Sequence, residues 1–518
     1  MAWKMVHPAH KMSAALNGNG HGANGLFQQI MKRAEKPQGA KVLPEARESL
    51  VTFKTIDGGE FHGTPLRITR HSVVFELYSP SVTPRLSEAL GQFEIILQGK
   101  TLYSGSATVR NVLDTGTKTV CETILRESDW TGTEPGIPSQ SDVEITKEFK
   151  VFFKDWQRSY KVSSDFKLVM ADMQTFLHDL RLWLERVELK IRVSPKPLQA
   201  QLEMEVVAKL APPIIVAIDV FINQFESIVT KLKDEEHPCY YEHLRRQLHP
   251  LVLVSPFARR AFGKPLGYAG DYLMVDMMIR SPIEGDTLFA KIVNVWLLGQ
   301  SPAQAHRNRV SYLEKKLIEE TARVRANGSI AKIFNLGCGP AAEVQRFFAE
   351  QHVCGHADLS LVDFNEETLQ HLGQKLNKLS RNLAKPASFR LIKKSVNQIL
   401  KDAALGLGRW PEEKYDYVYC AGLFDYLSDN VCRKLMNVFY EMLAPGGLLL
   451  ATNATDVMNS SRPFRYSMEY ILDWHLIYRD KDELAALSPN LANKDDIKVV
   501  VESTGANLFL EVKKSKNV

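Results

Sequence analysis

The stretch Ile333-Phe-Asn-Leu-Gly-Cys-Gly-Pro340 decides the fold of the C-terminal part of the chain. An apolar run leads into two glycines one residue apart, and a helical pattern begins at Ala341. In α/β folds, a strand that feeds a glycine turn at the start of a helix brings backbone N–H groups close to a ligand. Gly337 and Gly339 can adopt positive φ, and without Cβ atoms they leave room for that ligand. The stretch therefore predicts a ligand-binding turn.

Three further segments continue this pattern. Leu359–Asp363 predicts a second strand that ends in a carboxylate about 25 residues downstream, near where a ribose-binding acid is expected. Tyr415–Cys420 predicts a third strand. Leu443–Thr452 predicts the end of a helix, a Pro-Gly-Gly turn and a buried strand. Together these segments favour a nucleotide-binding crossover sheet.

In this order the segments resemble the class I S-adenosylmethionine (SAM)-dependent methyltransferases. The resemblance covers roughly Glu314 to Val518. It implies a Rossmann-like seven-stranded methyltransferase domain over residues 313–518, with SAM as cofactor. The chain departs from the family at Asn335, where Asp or Glu is usual. An amide there can still hydrogen-bond, but it lacks the charge that would attract the ammonium group of the cofactor.

The resemblance also implies a role for each residue at a matching position. Asn335, although it differs from the family, is counted among the cofactor-binding residues. Gly337, Cys338 and Gly339 would line the methionine part of the cofactor, and Asp363 would hold its ribose. Phe364 would flank the adenine, and Ser395 and Val396 would sit at its edge. Ala421 would lie beneath the sulfonium.

Composition and charge exclude several classes of protein. The net charge of +5 comes from 65 basic and 60 acidic residues, a balance that does not argue for binding to nucleic acid or to an anionic membrane. The six cysteines form no CxxC pair, so we expect no zinc cluster, no other metal site and no disulfide framework, but a reducing cytoplasm. Neither a transmembrane run nor a signal peptide is predicted.

The N-terminal part divides into two regions. Residues 1–40 are rich in Gly, Asn, Ala, His and Lys and predict a disordered arm. Residues 41–135 contain short β-branched segments between turn residues, which predict a small antiparallel β-barrel of about six strands.

The barrel pattern resembles a PilZ domain, the cyclic-di-GMP receptor barrel. The family's arginine pair is reduced to Arg47, and the acid, serine and glycine of its turn are all replaced in the segment from Arg67 to Ser72. A cyclic dinucleotide needs a guanidinium fork on its phosphates. Arg67 and Arg70 are the candidates for it, but we expect a structural or partner-binding barrel that does not bind cyclic-di-GMP.

Residues 140–250 predict an antiparallel helical bundle. Apolar residues recur there at three- and four-residue spacings and predict its core. A dimer interface, giving a homodimer, and a tunnel for an acyl chain are the alternatives. Pro212-Pro213 predicts a kink or a break. The apolar stripe comprises Phe149, Phe152, Phe153, Trp156, Tyr160, Leu168, Met170, Met173, Phe176, Leu177, Leu180, Leu182 and Leu184.

Residues 251–312 precede the methyltransferase-like part and are interpreted as a lid or connector. Pro256–Tyr272 shows neither helical nor strand periodicity, which predicts a mobile or functional loop. Tyr268 and Asp271 are candidate catalytic residues of this lid, and Tyr272 is a candidate substrate contact. His306 and Arg307, with the neighbouring Arg309, are candidates to face a carboxylate of the substrate or of the cofactor. The alternative is a helix-capping loop followed by a solvated basic turn.

Asp425 and Tyr426 follow the third strand, where the family's Asn/Asp-Pro-Pro-Tyr motif is absent. They are candidates for a base or an orienting pair, with helix capping and packing as the alternative. Asn453 is a candidate residue of the acceptor pocket.

These observations predict a SAM-dependent methyltransferase that acts on a small or lipid-like molecule. The segment from Gly267 to Arg309, with Tyr419–Asp425, is similar to bacterial proteins grouped with makers of the 3-hydroxypalmitate methyl ester signal. That similarity implies O-methylation of a hydroxy fatty acid carboxylate. Two alternatives remain: N-methylation of a small amine, and a non-enzymatic regulator that responds to a ligand or to cyclic-di-GMP through a degenerate methyltransferase domain.

Overall fold

The computed structural model describes residues 50–54, 60–78, 84–97, 100–114, 118–131, 146–147, 149–154, 162–350, 353–381, 388–405, 413–456 and 464–515. The predicted arm at residues 1–40 lies outside them, as do Arg47, Trp156 and Tyr160. The described chain forms a closed barrel, a group of packed helices and a seven-stranded sheet.

Six antiparallel strands close the barrel in the order β1-β2-β3-β6-β5-β4, which confirms the predicted number of strands. Alternate residues of β1 point inwards, and Phe53 packs there against Phe75 and Phe93. Arg67 and Arg70, by contrast, are exposed. The PilZ likeness stays a prediction. The strands are β1 (Leu50–Lys54), β2 (Glu60–Ile68), β3 (Ser72–Tyr78), β4 (Ala89–Leu97), β5 (Lys100–Asp114) and β6 (Lys118–Leu125).

Seven helices follow between residues 164 and 326 of the described chain. Ser163 caps the first helix by accepting from the backbone N–H of Phe166, and Pro195 ends the next connection. Of the helices that the structure describes, none has the length and apolar character needed to cross a membrane. The helices are α1 (Ser164–Arg192), α2 (Lys196–Val229), α3 (His237–Val252), α4 (Pro256–Gly263), α5 (Tyr272–Ile279), α6 (Leu288–Leu298) and α7 (Ser301–Ala326).

A kink or a break was predicted at Pro212-Pro213; the break is wrong, because α2 runs through both prolines as one helix, and the kink stays a prediction. Its apolar face continues across them: Ala211 before the prolines and Ile214 and Ile218 after them are buried in one core. Burial of that continuous face offsets the hydrogen bonds that the prolines remove.

The prediction that the aromatic stripe is core is wrong at its start and only partly right beyond it. Phe149, Phe152 and Phe153 are exposed, with 58% of Phe149 accessible. In α1, Leu168 and Leu182 are also exposed, whereas Met170, Met173, Leu177 and Leu184 are buried. Helical spacing alone does not say which apolar residues of a long helix find a partner. A homodimer through these helices stays a prediction.

The loop predicted for Pro256–Tyr272 is wrong in its first half, which is a helix, whereas Lys264–Asp271 forms neither helix nor strand. α4 covers Pro256–Gly263, and α5 begins at Tyr272. Phe257, Ala258 and Ala261 pack into the helical core, which explains why this short segment holds a helix without a long periodic pattern.

The C-terminal sheet has the order β12-β13-β11-β10-β7-β8-β9. β7 to β11 are parallel to one another, and β13 runs antiparallel to both β11 and β12. Alternate residues of the central strands enter two apolar cores, one on each face of the sheet. The strands are β7 (Ala331–Leu336), β8 (Ala357–Asp363), β9 (Ser388–Lys393), β10 (Tyr415–Cys420), β11 (Leu443–Ala454), β12 (Ile497–Val501) and β13 (Asn507–Lys513).

Helices connect these strands, and the Pro-Gly-Gly turn differs from its prediction. The three residues lie inside β11, where the pairing with β10 changes register between Tyr415 and Tyr417 and Gly446 takes φ +78°. The helices are α8 (Ala342–Glu350), α9 (Glu366–Ser380), α10 (Val396–Leu405), α11 (Asp429–Met442), α12 (Arg465–Leu472) and α13 (Lys481–Ala485).

Candidate active site

The strand order reverses between β7 and β10, and a cavity of about 730 Å³ lies at the carboxyl ends of these strands. Open α/β sheets bind ligands in the crevice at such a reversal. Residues that end or follow strands form one wall, the sheet side; apolar residues of helices and of the segment after α12 form the other, the helical side. The sheet side comprises Asn335, Gly337–Gly339, Asp363, Phe364, Lys394–Asn397 and Ala421; the helical side comprises Phe257, Val275, Met278, Leu297, Phe464, Met468, Leu472 and Leu476.

The glycine turn opens towards the cavity. Gly337 has φ +67° and Gly339 has φ +53°, a conformation that favours glycine. A Cβ placed on Gly339 would meet no atom within 4 Å, so the space beside this residue is open. The turn is held to the next strand because the backbone N–H groups of Gly337 and Cys338 both donate to the carbonyl of Val362.

Asp363 ends β8 and lines the sheet side. Its carboxylate accepts from the backbone N–H of Gly339 and of Asn365, each at 3.0 Å. Burial raises the pKa of Asp363, although these two hydrogen bonds act to lower it. The ring of the neighbouring Phe364 lies 5.6 Å from that of Tyr268, which reaches the cavity from the lid segment. This part of the wall offers one hydrogen-bond acceptor beside two aromatic rings.

Glu343, which the sequence reasoning missed, lies beside Asn335 in the same wall. Asn335 Nδ2 donates to Glu343 Oε1 at 3.4 Å, and Tyr419 Oη donates to the same oxygen at 2.8 Å. Burial raises the pKa of Glu343. The available signal was an acid in the first turn of the helix that follows the glycine turn.

His306 and Arg309 reach the cavity from α7. Arg309 Nη2 lies 2.6 Å from His306 Nδ1, and His306 Nε2 is buried with no hydrogen-bond partner among the described residues. Burial and the neighbouring Arg309 hold the pKa of His306 well below its usual range. A Cβ on Gly422 would come within 3.1 Å of the Arg309 guanidinium, so the glycine makes room for it.

Asp425 and Tyr426 both line the cavity. Asp425 Oδ1 accepts from the backbone N–H of Ala454 at 2.6 Å, and burial raises the pKa of its carboxyl to about 6. Tyr426 Oη accepts from Trp474 Nε1 at 2.8 Å, and burial raises the pKa of the tyrosine. A Cβ on Gly270 would lie 2.9 Å from Tyr426 Oη, so the lid loop passes close against this pair.

Asp473, the residue before Trp474, anchors this part of the wall. It pairs with Lys264, which ends α4, and with Arg245 of α3 at 2.8 Å, and it also accepts from Tyr241. Lys264 and Asp473 both have left-handed backbones, with φ +44° and +53°. The pairing therefore joins two strained chain segments.

Three candidates from the sequence do not line the cavity. Asp271 is fully buried; it caps α5 by accepting from Leu273 and Met274 N–H, and it pairs with Arg260 at 2.8 Å. Arg307 donates to the backbone carbonyls of Met278 and Leu298, both at 2.9 Å. The Asp271 carboxylate satisfies N–H groups at a buried helix start, and the Arg307 guanidinium satisfies backbone carbonyls. Both side chains therefore stabilise the fold.

Asn453 is the third of these residues. Its side chain donates to the carbonyls of Ala454 and Ile477 and accepts from Arg479 at 2.5 Å. These contacts hold the segment after α12 against β11, and Asn453 does not line the cavity. Tyr272 does line it, although its hydroxyl donates to Glu367 at 2.7 Å.

The structure thus brings together the nine residues that the resemblance assigned to the cofactor, along with Tyr268, Tyr272, His306, Asp425 and Tyr426. Two observations fit an organic cation carrying a nucleoside: the open space beside Gly339, and the buried oxygen of Asn335, which has no partner among the described residues. Throughout the part of the chain that the structure describes, no group of three or more His, Cys, Asp and Glu side chains is arranged to hold a metal ion.

Comparison with known proteins gives fold likenesses at low identity. No protein-family model matches the sequence, and no curated protein matches it. A Bordetella parapertussis structure described as a possible exported protein shares 15% identity over 50% of this chain and 86% of its own, with a TM-score of 0.39. Magnesium protoporphyrin IX methyltransferase from Synechocystis PCC 6803, solved with bound SAH, shares 13% identity over 41% of this chain and 84% of its own, with a TM-score of 0.29. N-methyltransferase NodS from Bradyrhizobium japonicum WM9 shares 14% identity over 40% of this chain and 96% of its own, with a TM-score of 0.25. All three TM-scores are below 0.5.

Proposed function

We propose that the chain is a SAM-dependent methyltransferase that acts on a small or lipid-like acceptor. The observation that carries the proposal is the meeting of the left-handed glycine turn, Asp363 and Phe364 at the reversal of the sheet. Asp363 would accept from the ribose hydroxyls, Phe364 would flank the adenine, and Ser395 and Val396 would form its edge. The turn would line the methionine part.

When bound, SAM supplies an activated methyl group on a sulfonium. Transfer of that group is an in-line displacement, so the protein chiefly has to place the acceptor atom about 3 Å away and exclude water. Tyr268, Tyr426 and Trp474 surround the cavity next to the sheet side. Their rings would exclude water from the reacting atoms, and their raised tyrosine pKa values keep the hydroxyls neutral.

We propose a hydroxy fatty acid carboxylate as the acceptor. The helical side is apolar and suits an alkyl chain, whose burial stabilises the complex by about 0.8 kcal/mol per methylene. Arg309 and His306 supply donors for a carboxylate. Because arginine only donates, His306 Nδ1 must accept, which leaves the imidazole proton on Nε2. That buried N–H has no partner among the described residues.

A matched pair of variants tests this acceptor. Arg309→Gln removes a cavity-lining guanidinium, whereas Arg307→Gln removes one that binds backbone carbonyls outside the cavity. With 3-hydroxypalmitate as the probe in titration calorimetry, we expect the first variant alone to lose affinity, by about tenfold or more. Equal affinity in wild type and Arg309→Gln would exclude the carboxylate assignment.

The methyltransferase reaction itself is tested by mass spectrometry. The purified protein is incubated with isotope-labelled SAM and a small-molecule extract, and we expect a labelled methyl ester that is absent without protein. A wild-type chain that binds neither SAM nor SAH in calorimetry would contradict the proposed function.

N-methylation of a small amine is the second candidate, favoured by Asp425. A buried carboxyl with a pKa near 6 beside the cavity can pair with an ammonium and then accept its proton. In that case Asp425→Asn would abolish transfer to an amine. A carboxylate acceptor is already nucleophilic and needs no such base.

A further inference from the structure

A buried amide and a buried carboxylate lie side by side in the wall of the cavity. Asn335 and Glu343 are at least nine-tenths buried and line the sheet side. Asn335 Nδ2 and Tyr419 Oη both donate to Glu343 Oε1, and the backbone N–H of Glu343 also favours its carboxylate. Among the described residues, the buried Asn335 Oδ1 has no hydrogen-bond partner.

The orientation of the Asn335 amide follows from its neighbour. An ionised carboxylate only accepts hydrogen bonds, so the amide must present Nδ2 to Glu343. Its Oδ1 is then left as a second acceptor beside the carboxylate. A buried acceptor with no donor is costly unless a ligand supplies the missing hydrogen.

The charge of Glu343 is also uncompensated at short range. In the described part of the chain, no Lys, Arg or His lies within ion-pair distance of Glu343. Arg309 and Arg346 act on it only from farther away, and Arg346 pairs with Glu314. Burial raises the pKa of Glu343, which is the expected response of a carboxylate without a cation. A bound cation would restore its ordinary acidity.

We infer that Glu343, with Asn335 Oδ1, binds the primary ammonium group of the cofactor's methionine part. An ammonium carries three N–H donors and one positive charge, which matches two acceptors and one uncompensated carboxylate. The inference rests on the proposed function. The cation-binding carboxylate then comes from the first turn of α8, while an amide occupies the end of β7.

Three ligands separate this role from a structural one. SAH carries both the amino and the carboxyl group, decarboxylated SAM keeps only the amino group, and 5′-methylthioadenosine has neither. In titration calorimetry, Glu343→Gln should weaken SAH and decarboxylated SAM by about 10- to 100-fold. Its affinity for 5′-methylthioadenosine should stay within about twofold of wild type. Glu320→Gln, a buried glutamate paired with Arg323 away from the cavity, is the control.

A rescue keeps the test decisive if the single variant folds poorly. Asn335→Asp combined with Glu343→Gln returns one carboxylate to the pair and keeps an amide that can donate to it. We expect this double variant to recover most of the lost affinity for SAH. Thermal unfolding of each variant checks that the fold is retained.

The failures are distinguishable. Wild type that binds neither SAH nor 5′-methylthioadenosine overturns the proposed function itself. Wild type that binds both, with Glu343→Gln unchanged for SAH or weakened equally for all three ligands, overturns only the role of Glu343. An absent rescue with a folded double variant does the same.

Discussion

The two walls of the cavity are built in different ways. The sheet side comes from residues that end or directly follow neighbouring strands, so its polar groups sit where the chain must turn. The helical side draws its residues from segments as far apart as Phe257 and Leu476, and all of them except Val275 pack in or against a shared helical core. One wall carries polar groups for recognition, and the other carries apolar surface.

This difference teaches where specificity can change. Residues on the sheet side are constrained together by turn geometry, as the hydrogen bond from Gly339 N–H to Asp363 shows. On the helical side, side chains can be exchanged singly if total volume is kept. We therefore expect cofactor binding and acceptor binding to respond to separate sets of substitutions.

The largest effect is expected at Asp363. Asp363→Ala removes the acceptor proposed for the ribose, and hydrogen bonds to a charged group contribute about 1.5–3 kcal/mol. We expect the dissociation constant for SAH to rise by about 10- to 150-fold in calorimetry. Asp358→Ala, at the opposite end of the same strand, is the control and should leave it unchanged. An unaltered affinity in Asp363→Ala would refute the ribose role.

A substitution on the other wall should show the reverse pattern. Met468→Trp adds volume to the helical side of the cavity. We expect loss of methyl transfer to the acceptor while SAH affinity stays within about twofold, since overpacking acts locally. Met204→Trp, at an exposed position of α2, is the matched control for adding an indole. Loss of SAH binding in Met468→Trp would break the proposed division of the cavity.

The anchor beside the helical side should affect stability more than binding. Burial alone would raise the pKa of Asp473, but hydrogen bonds from His475, Lys264 and Tyr241 lower it. Because the folded-state pKa is depressed, this stabilisation is present above about pH 4 and is lost as the pH falls. Asp473→Asn, which tolerates the left-handed backbone, should lower the free energy of unfolding by about 1–2 kcal/mol at neutral pH. The difference, measured by urea unfolding, should shrink in acid.

Asp425 gives the comparison a pH dependence. With a pKa of about 6, its carboxyl becomes charged as the pH rises from 5 to 7. A carboxylate acceptor would then be repelled, so its affinity should fall over this range; an amine acceptor would gain affinity. The slope, measured with 3-hydroxypalmitate, should disappear in Asp425→Asn. A rising affinity for the acid would contradict our assignment.

The smallest effect is expected in the barrel. Arg67 and Arg70 are exposed, and the turn between β2 and β3 lacks the acid and glycine of the resemblance. We expect no heat when cyclic-di-GMP is titrated into the protein. Binding in the micromolar range, lost in Arg67→Ala, would overturn this expectation.

The sequence located the four central strands β7, β8, β10 and β11 because buried parallel strands are mostly apolar runs bounded by glycine or acid. Tyr415–Cys420 matches β10 residue for residue. It predicted α2 poorly at Pro212-Pro213, since the burial that holds this helix together is supplied by residues distant in the chain. Propensity is a local property, and here tertiary packing overrides it.

The sequence predicted which residues line the cavity where a turn at the end of a strand fixes their position. It did not predict which polar side chains are used by buried backbone groups elsewhere in the fold. Asn453 and Arg307 are polar residues next to the site in sequence, yet buried carbonyls take up their donors. Glu343 was missed for the opposite reason: a helix acid usually serves the helix dipole, and only the fold shows that it faces a cavity.

The ion pair between Lys264 and Asp473 should affect the rate at which ligands enter and leave the cavity. It joins the end of α4 to the segment that carries Trp474, and both side chains are about one-third exposed. Dissolved ions reach such a pair and weaken it. Ligand exchange should therefore accelerate as ionic strength rises, even where equilibrium affinity changes little.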